Sequence, residues 1–522
     1  MPQRLPATPL PLFNSASTRT LEQAALAWHP QPSLMQRAGR ACAQLAQALA
    51  PHAQHMWVLC GPGNNGGDGL AAAAILAAQG RKVTLTWLGQ RERCSSDTLV
   101  ALQQAQNQAI HWSDTPPALQ PHDLIVDALL GLGLHSQAAA NPRIAALLQH
   151  SYASQATVLA VDLPSGLQAD TGLWQAGYAP QPPHHSPSHQ QRHTLSLLTL
   201  KPGLFTADGR DAAGQIWFDD LGLGQLPIAL PSPAPTAWLH HPAAPITAGL
   251  AARRHASHKG SFGDVLVIGG QGLQAGAAMQ GAAILAASAA LHHGAGRVFL
   301  HLLDHGQLQQ LPQTPEIMLR NQVTALAQLP SSTVVCGCGG GSSVAALLPK
   351  VLEHSARLLL DADALNAIAA DAMLRQRLKN RGPAGLPTVL TPHPLEAARL
   401  LNSSVPAVQA DRLAAAHTLA NTLDCTVLLK GSGSIIASPG EVPHINPTGN
   451  ALLATGGTGD VLAGMVAAHW ASMQNNVNSN AHRAACAGAY AHGAIADGWP
   501  AQRPLTAQAL ARTLARTLAR AC

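Results

Sequence analysis

A glycine-rich stretch with a single acid, residues 446–464 (NPTGNALLATGGTGDVLAG), has the residue types that phosphoryl chemistry needs. It runs into an apolar segment, 461–470, whose pattern predicts a helix. A glycine turn that opens a helix leaves backbone N–H groups free to bind an anion, most often phosphate. Asp460 would repel that phosphate unless it accepts a proton during phosphoryl transfer. The alternative is that Asp460 only caps the helix.

A second candidate phosphate site lies shortly upstream. The motif KGSGS at 430–434 supplies a cation, Lys430, together with two glycines and two hydroxyl groups. Because both glycine-rich motifs occur within one short region, we favour the catalytic interpretation of Asp460 over the capping interpretation.

The first half of the chain contains a strand, a glycine turn and a helix in succession. An apolar strand is predicted at 56–60, followed by the turn GPGNNGGDG at 61–69 and then an alanine-rich helix. This order begins a doubly wound α/β unit, although the spacing is neither GxGxxG nor a P-loop. The oxygens of Asn64, Asn65 and Asp68 suit a hard cation or a ribose hydroxyl better than a bare phosphate. A capped turn without a ligand is the alternative.

Two more aspartates of this half follow apolar strands. Asp127 ends the segment 124–127, and Asp162 ends the segment 157–162. The carboxyl ends of parallel strands form one edge of an open sheet, and that edge carries the ligand. Either aspartate alone could cap a helix, but their repetition at one edge favours a functional site.

The second half repeats the alternation of strands and helical segments, which predicts a second parallel α/β domain. Its candidate groups again follow strands: the loop 337–341, then Asp361 and Asp363, then His393. The two aspartates suit Mg²⁺ held through water as well as they suit a helix cap, and this choice stays open. His393 lies between two prolines and is a candidate substrate contact, although a lone histidine is more often structural.

The amino-acid composition limits which classes of protein this chain can belong to. The 522 residues are 47% hydrophobic and carry a formal charge of +5 without a dense Lys/Arg run, so we expect no nucleic-acid partner. The eight scattered cysteines predict reduced thiols in a cytoplasmic protein. No apolar run is long enough for a membrane span, and no signal peptide is predicted. We expect a homo-oligomer.

Three segments outside the motifs complete the pattern. Residues 18–50 are predicted to form one helix. The stretch 178–193 contains four irregularly spaced histidines and is interpreted as a surface loop rather than a metal site. The proline- and alanine-rich segment 227–247 is interpreted as a linker.

Taken together, the motifs resemble a known family. LCGPGNNGGDGL, VDALLGLGL, AVDLPSG and LKPG are similar to the N-terminal epimerase domain of the bifunctional NAD(P)H-hydrate repair enzymes. HKGSFGDVLVIGG, LDADALN, TPHPLEAARL, LLKGSGS and the 446–464 stretch are similar to their ADP-dependent dehydratase domain, which is ribokinase-like. The resemblance implies an α/β protein with a Rossmann-like three-layer domain at 1–226, a linker at 227–247 and a ribokinase-like three-layer domain at 248–522.

The resemblance also implies an activity. Hydrated NADH and NADPH, called NADHX and NADPHX, occur as R and S epimers at C6 of the nicotinamide ring. The first domain would interconvert the epimers with the help of K⁺. The second domain would use ADP, with Mg²⁺, to phosphorylate the S-epimer hydroxyl, and loss of phosphate would restore NAD(P)H and leave AMP. ATP in place of ADP stays open.

The site residues follow from the same resemblance. Asp162 and Asp460 would be the catalytic groups. The epimerase substrate would contact Asp162 and two loops: Asn64, Asn65, Gly66, Gly67, Asp68, Gly131, Leu132, Gly133, Leu134, His135, Ser136 and Gln137. The K⁺ ligands would be Asn65, Asp127 and Ser165. The dehydratase substrate would contact Ala277, Gly341, His393 and Asp460. The ADP contacts would be Lys430, Gly431, Ser432, Gly433, Ser434 and Gly459.

The sequence departs from the family pattern in two motifs and in the His-rich loop 178–193, which is unusual in the family. Cys338 stands where the family usually has proline, and Gln36 stands in LMQRAG where LMERAG is commoner. Two other functions fit parts of the chain: a ribokinase-like kinase of the hydroxymethylpyrimidine type with an accessory N-terminal domain, and a non-catalytic nucleotide-binding module. The first half argues against the kinase, and the aspartates Asp162 and Asp460 argue against simple binding.

Overall fold

The computed structural model describes residues 2–27, 31–134, 139–181, 191–225, 233–241, 255–273, 276–473 and 477–514. The chain divides into two compact units, Met1–Ala7 with Pro11–Ala237 and Thr8–Leu10 with Trp238–Cys522. Strands and helices are numbered in chain order through both units. Among the described residues, no helix is both long and apolar enough to cross a membrane.

The first unit is built on an eight-stranded sheet. Its strands are β1 (Gln3–Arg4), β3 (Met56–Cys60), β4 (Val83–Trp87), β5 (His111–Trp112), β6 (Leu124–Ala128), β7 (Thr157–Val161), β8 (Arg192–Leu197) and β9 (Gln215–Asp219). The strand order is β1-β9-β8-β7-β6-β3-β4-β5. Neighbours pair in parallel except β1, which runs antiparallel to β9.

Helices cover both faces of this sheet. They are α1 (Ser15–Leu26), α2 (Leu34–Leu49), α3 (Asn64–Ala78), α4 (Ser96–Gln106), α5 (Pro142–Ala153) and α6 (Gly209–Ala212). Successive residues of β3 point to opposite faces. Met56 and Val58 pack in one apolar cluster with α2 and α3, whereas Trp57 and Leu59 pack in another with α5. The predicted three-layer α/β architecture of this half is confirmed.

Two predictions of local structure in this unit were wrong. Residues 18–50 form two helices, because Pro32 interrupts the segment and Ser33 starts α2 with a capping box to Gln36. Helix α3 starts at Asn64, although 61–69 was predicted to be a loop. A Cβ at Gly66 would lie 2.0 Å from the Gly61 carbonyl oxygen, so tight packing overrides the low helix propensity of glycine.

The second unit is built on a sheet whose strands are β2 (Leu10–Leu12), β10 (Ala237–Leu239), β11 (Asp264–Gly269), β12 (Arg297–Leu302), β13 (Met318–Leu319), β14 (Thr333–Cys336), β15 (Arg357–Leu360), β16 (Thr388–Leu390), β17 (Thr426–Leu429), β18 (Ile435–Ala437) and β19 (His444–Ile445). The order is β13-β12-β11-β14-β15-β16-β17-β18-β19-β10-β2. Pairing from β13 to β17 is parallel, and β18 runs antiparallel to both of its neighbours. Strand β10 lies within 227–247, part of which is outside the described residues.

The helices of the second unit are α7 (Gln280–His292), α8 (Gln322–Ala327), α9 (Leu348–His354), α10 (Asp363–Ala370), α11 (Ala372–Lys379), α12 (Pro394–Leu400), α13 (Val405–Ala410), α14 (Arg412–Leu423), α15 (Thr458–Ser472), α16 (Val477–Asp497) and α17 (Ala507–Arg512). Val265 packs in one apolar cluster with α7, α15 and α16, and the next residue of β11, Leu266, is fully buried as well. Both faces of the sheet are therefore covered, as expected for a second α/β unit.

Helices α7 and α15 approach each other closely because glycine and alanine line their contact. A Cβ at Gly464 in α15 would lie 2.0 Å from the Ala286 carbonyl oxygen of α7. A Cβ at Gly281, on α7 itself, would meet no atom within 4 Å. The first glycine is required by packing, and the second is not.

This difference predicts opposite effects of the same substitution. Gly464→Ala should force the two helices apart and destabilise the protein by about 1–3 kcal/mol. Gly281→Ala, the matched control, should stabilise it by about 0.5–1 kcal/mol through its higher helix propensity. Calorimetric unfolding of the full chain measures both changes, and equal shifts for the two variants would show that the packing argument is wrong.

Candidate active sites

The first candidate site lies at one edge of the first sheet. Strands β8, β7, β6 and β3 are neighbours with parallel pairing, so their carboxyl ends meet at that edge. The predicted groups follow these strands: Asn64 to Asp68 after β3, Asp127 at the end of β6 and Asp162 directly after β7. The structure therefore brings the described part of the predicted epimerase site together.

Asp127 and Ser165 form a buried polar pair. Ser165 Oγ donates to Asp127 Oδ1 at 2.5 Å, and Ser165 N donates to Oδ2 at 3.0 Å. Burial raises the pKa of Asp127, while hydrogen bonds from Ser165 and Leu129 act in the opposite direction. The Asp127 carboxyl group is thus buried among mainly neutral hydrogen-bond donors.

Asn65 contributes the oxygen and the nitrogen of its side-chain amide to this edge. Its Oδ1 and Nδ2 are buried and have no hydrogen-bond partner among the residues that the structure describes. A Cβ at Gly131 would lie 3.2 Å from Asn65 Cβ, so the 131–134 loop packs against it. An orphaned amide oxygen and a buried carboxylate are a donor set that fits a weakly held hard cation.

Asp162 is held by a lysine that follows the next strand. Lys201 is fully buried, and its Nζ donates to Asp162 Oδ1 and, at 2.7 Å, to the Leu197 carbonyl oxygen. Leu197 N also donates to Asp162 Oδ1, at 3.1 Å. Asp162 has a φ of 67°, a conformation that is costly for a residue with a side chain and is concentrated at functional sites. The Asp162 carboxylate is therefore held in one position and paired with the Lys201 ammonium group.

Two more carboxyl groups interact electrostatically with Asp162. Asp68 and Glu22 are half-buried. Burial and then the Asp162 charge raise the pKa of Glu22, and burial with the charges of Asp162 and Glu22 raises the pKa of Asp68 well above its ordinary value. The site thus combines the lysine-bound Asp162 with two carboxyl groups that keep a proton more readily than usual.

Two other predicted substrate contacts of this site form hydrogen bonds within the first unit. Asn64 Oδ1 accepts from Ser95 Oγ at 3.0 Å, and the Leu132 carbonyl oxygen accepts from Arg19 at 2.7 Å. His135, Ser136 and Gln137 lie outside the described residues.

The second candidate site lies at the corresponding edge of the second sheet. Strands β11, β14, β15, β16 and β17 are parallel neighbours. Lys430 directly follows β17, and its Nζ donates to Asp361 Oδ1 at 2.8 Å and lies 3.9 Å from Glu396 Oε2. Burial acts to lower the pKa of Lys430, but the Asp361 and Glu396 carboxylates outweigh burial and raise it. Lys430 is a fixed cation.

Asp460 lies in the first turn of α15 and does not cap it. The N-cap is Gly457, which has no side chain to accept a hydrogen bond, so the capping interpretation of Asp460 is wrong. Burial and the Asp361 charge raise the pKa of Asp460 to about 6, whereas a hydrogen bond with Cys338 and the Lys430 charge lower it. A carboxyl group with this pKa is a competent base near neutral pH.

Cys338 joins the two aspartates. Oxygen atoms of Asp361 and Asp460 and the sulfur of Cys338 all lie within 4.8 Å of one another. Burial and the charges of Asp460 and Asp361 raise the pKa of Cys338 well above its ordinary value, so it is a thiol that can donate a hydrogen bond. The residue that departs from the family pattern thus touches the proposed base.

The glycine-rich motifs converge on Lys430. A Cβ at Gly459 would lie 3.4 Å from Lys430 Nζ, which places the 457–460 turn beside the 430–434 loop. Within that loop Gly431 and Gly433 have positive φ, and Ser434 Oγ donates to the Gly431 carbonyl oxygen at 3.3 Å. The two phosphate-binding candidates therefore form one site.

Asp363 anchors the loop that follows β14. Asp363 Oδ2 accepts from Gly341 N at 2.8 Å, and neither Asp361 nor Asp363 caps α10, so the capping alternative is wrong for both. Gln271 Nε2 donates to the Ala277 carbonyl oxygen at 3.2 Å, while its buried Oε1 has no partner in the described part of the chain. Ala277 and Gly341 are brought together through Gln271.

His393 has a structural role at this edge. It is the N-cap of α12: its Nδ1 accepts from Leu395 N at 3.1 Å, and Glu396 accepts from His393 N at 2.8 Å. The His393 side chain is still 45% exposed, so its outer edge stays accessible to a substrate.

Sequence reasoning missed several residues of these sites. Lys201 follows a strand within the LKPG motif, a position that could have indicated it, and Glu396 stands three residues after His393 in a capping-box pattern. Glu22 and Gln271 have no comparable local signal.

Two family models match this chain, one in each unit. Residues 265–520 match the family model described as NAD(P)H-hydrate dehydratase, and residues 31–203 match the model described as YjeF-related protein N-terminus. A solved structure of a ribokinase-like superfamily protein from Enterococcus faecalis is 26% identical and has a TM-score of 0.41, covering 50% of this chain and 88% of that chain.

Curated relatives extend over most of the chain. The bifunctional NAD(P)H-hydrate repair enzyme Nnr of Escherichia coli is 36% identical over 474 residues, which are 89% of this chain and 84% of that protein. Its namesake from Coxiella burnetii is 35% identical over 87% of this chain and 89% of that protein. The ADP-dependent (S)-NAD(P)H-hydrate dehydratase of Neisseria meningitidis is 41% identical over 47% of this chain and 80% of that protein. This chain belongs to the family of bifunctional NAD(P)H-hydrate repair enzymes.

Proposed function

We propose that the chain repairs hydrated NADH and NADPH. The first domain (1–226) interconverts R- and S-NAD(P)HX, and the second (248–522), after a linker at 227–247, dehydrates the S epimer with ADP and yields NAD(P)H, AMP and phosphate. The observation that carries the proposal is Asp460, a raised-pKa acid in a glycine-initiated helix turn, within 4.8 Å of the carboxylate that holds Lys430. The comparisons favour this function over the kinase alternative, because relatives with the repair activity in their names align across both units.

In the second unit, the chain's own groups suit phosphoryl transfer to an alcohol. Lys430 and the backbone N–H groups of the two glycine-rich motifs hold the ADP phosphates, and Mg²⁺ bound with them would add positive charge. Asp460 takes the proton of the C6 hydroxyl as its oxygen attacks the terminal phosphorus and the bond to AMP breaks. Phosphate then leaves C6 while a proton leaves C5, and the dihydronicotinamide ring is restored.

In the first unit, the groups suit acid–base chemistry at a carbon that carries both a hydroxyl and a ring nitrogen. Protonation of the C6 hydroxyl lets water leave, and water returns from the opposite face of the ring. Asp162, fixed by Lys201, is placed to exchange the proton, and Asp68 is a neighbouring carboxyl group with a raised pKa. Asn65, Asp127 and Ser165 would hold K⁺, which would supply positive charge beside the buried carboxyl group.

Reciprocal substitutions test whether the two aspartates serve separate sites. Asp460→Asn should still bind ADP and lose S-epimer dehydration by roughly 10²–10⁴-fold, because no base remains. Asp162→Asn, the matched control, should dehydrate pure S epimer normally while R-epimer repair falls to the spontaneous rate. Epimer-resolved chromatography with ADP-binding calorimetry measures all three quantities, and equal loss of both activities in either variant would contradict the assignment.

The Cys338 contact predicts a shift in the pH profile. Dehydration requires ionised Asp460, so its rate should rise with pH through about 6. Cys338→Ala removes a hydrogen bond that stabilises the carboxylate, which should raise the pKa and move the midpoint of kcat/KM up by roughly half a unit. Cys338→Ser keeps a donor and should hold the midpoint at or below the wild-type value. An unchanged midpoint in Cys338→Ala would remove Cys338 from the mechanism.

A further inference from the structure

A cluster of imidazole and thiol groups lies in the second unit away from the nucleotide motifs. His444 starts β19, and His482 and Cys486 stand four residues apart on one face of α16. Lys430 lies at the carboxyl end of β17, and β18 runs back antiparallel to it. Ser438 and His444 follow the carboxyl end of β18, so they lie toward the opposite end of the strands from Lys430. Neither active site uses these residues.

We propose that His444, His482 and Cys486 bind a Zn²⁺-class transition-metal ion. One ligand-type atom from each residue lies within 4.8 Å of the other two. Tetrahedral Zn²⁺ with nitrogen and sulfur ligands needs these atoms roughly 3.3–3.6 Å apart, a distance reached by small side-chain movements. A mixed imidazole and thiolate set selects Zn²⁺ and similar ions over Mg²⁺ or Ca²⁺.

The neighbours of His482 hold its ring as metal-ligating histidines are held. Ser438 Oγ lies 2.8 Å from His482 Nδ1, and Thr426 Oγ1 lies 2.9 Å from Ser438 Oγ. In the tautomer that donates from Nδ1 to Ser438, His482 Nε2 accepts a hydrogen bond from His444 Nδ1 at 2.8 Å, and a metal ion would take the place of the shared proton. An outer hydrogen bond of this kind fixes the orientation and the tautomer of a ligand.

His240 is a candidate fourth ligand. It directly follows β10, whose residues pair in parallel with β19, and its ring stands edge-on to His444 with the centroids 5.7 Å apart. Its Nε2 is buried and has no partner among the described residues. A buried ring nitrogen without a partner is costly unless it meets a donor or a metal.

The cluster lies near the surface of the unit. His444 is half-buried and Glu441, whose Oε2 lies 3.6 Å from His482 Nδ1, is exposed, which gives an ion access from solvent.

Metal binding here would fasten α16 to the sheet. The far half of α16 supports the nucleotide motif: the Ala489 carbonyl oxygen accepts from Asn446 Nδ2 at 3.1 Å, and His492 Nε2 lies 2.9 Å from the Thr458 carbonyl oxygen. A structural ion at the other half would hold the helix that orients this motif.

Cobalt titration of the full-length chain, stripped of metal and kept reduced, tests the site directly. Co²⁺ should give a thiolate charge-transfer band and tetrahedral visible bands that saturate at about one equivalent per chain, and Zn²⁺ should abolish them by displacement. Cys486→Ser should lose the charge-transfer band. Two control variants at other buried thiols, Cys425→Ser and Cys338→Ser, should keep it.

A second variant keeps the test decisive if Cys486→Ser fails to fold. Ser438→Ala retains every ligand and should weaken Co²⁺ binding by roughly 10–100-fold, as loss of an outer hydrogen bond does at other metal sites. The proposal is overturned if wild-type protein shows no thiolate band, if the band survives Cys486→Ser or disappears in Cys338→Ser, or if Ser438→Ala binds Co²⁺ as tightly as wild type.

Discussion

A largely buried lysine–aspartate ion pair stands at the carboxyl edge of the sheet in each unit, Lys201 with Asp162 and Lys430 with Asp361. Asp162 and Lys430 keep 12% and 19% of their side-chain surface exposed, and the loss of either partner of a pair would leave a largely buried charge without its counter-ion. The neighbouring strands and their backbone groups hold each pair in place. Each site therefore contains a fixed cation, an aspartate bound to it and a further carboxyl group nearby.

That additional acid differs in its environment from the paired aspartate. Asp460 and Asp68 have raised pKa values because they are buried near a carboxylate that is already charged. Two carboxyl groups in one site can thus differ in how readily they hold a proton, which suits acid–base chemistry. In the proposed function, the same arrangement serves phosphoryl transfer in one unit and epimerisation in the other.

Much of this arrangement could be predicted from local sequence. Apolar strands followed by polar residues are short-range features, and Asp127, Asp162 and Asp361 lie at the sheet edges where that pattern placed them. Glu22 could not be assigned, because its interactions with Asp68 and Asp162 join segments far apart in the chain. The helical start at Asn64 also escaped prediction, since close packing rather than propensity decides it.

The capping alternatives show what only a structure can decide. An acid near a helix start has the same local pattern whether it caps the helix or not, and Asp460 and Asp363 both stand inside their helices. The histidine cluster was equally hidden, because His240, His444 and His482 come from three separate elements. Spacing within one segment carries no information about such an assembly.

The most direct test of the account is the recovery of reduced-nicotinamide absorbance from a mixture of R- and S-NADHX. The wild-type chain should restore the full signal when ADP is supplied and none without a nucleotide, which requires both activities in one polypeptide. Recovery that stops at the S fraction would contradict the epimerase assignment, and no recovery with either ADP or ATP would contradict the repair function itself.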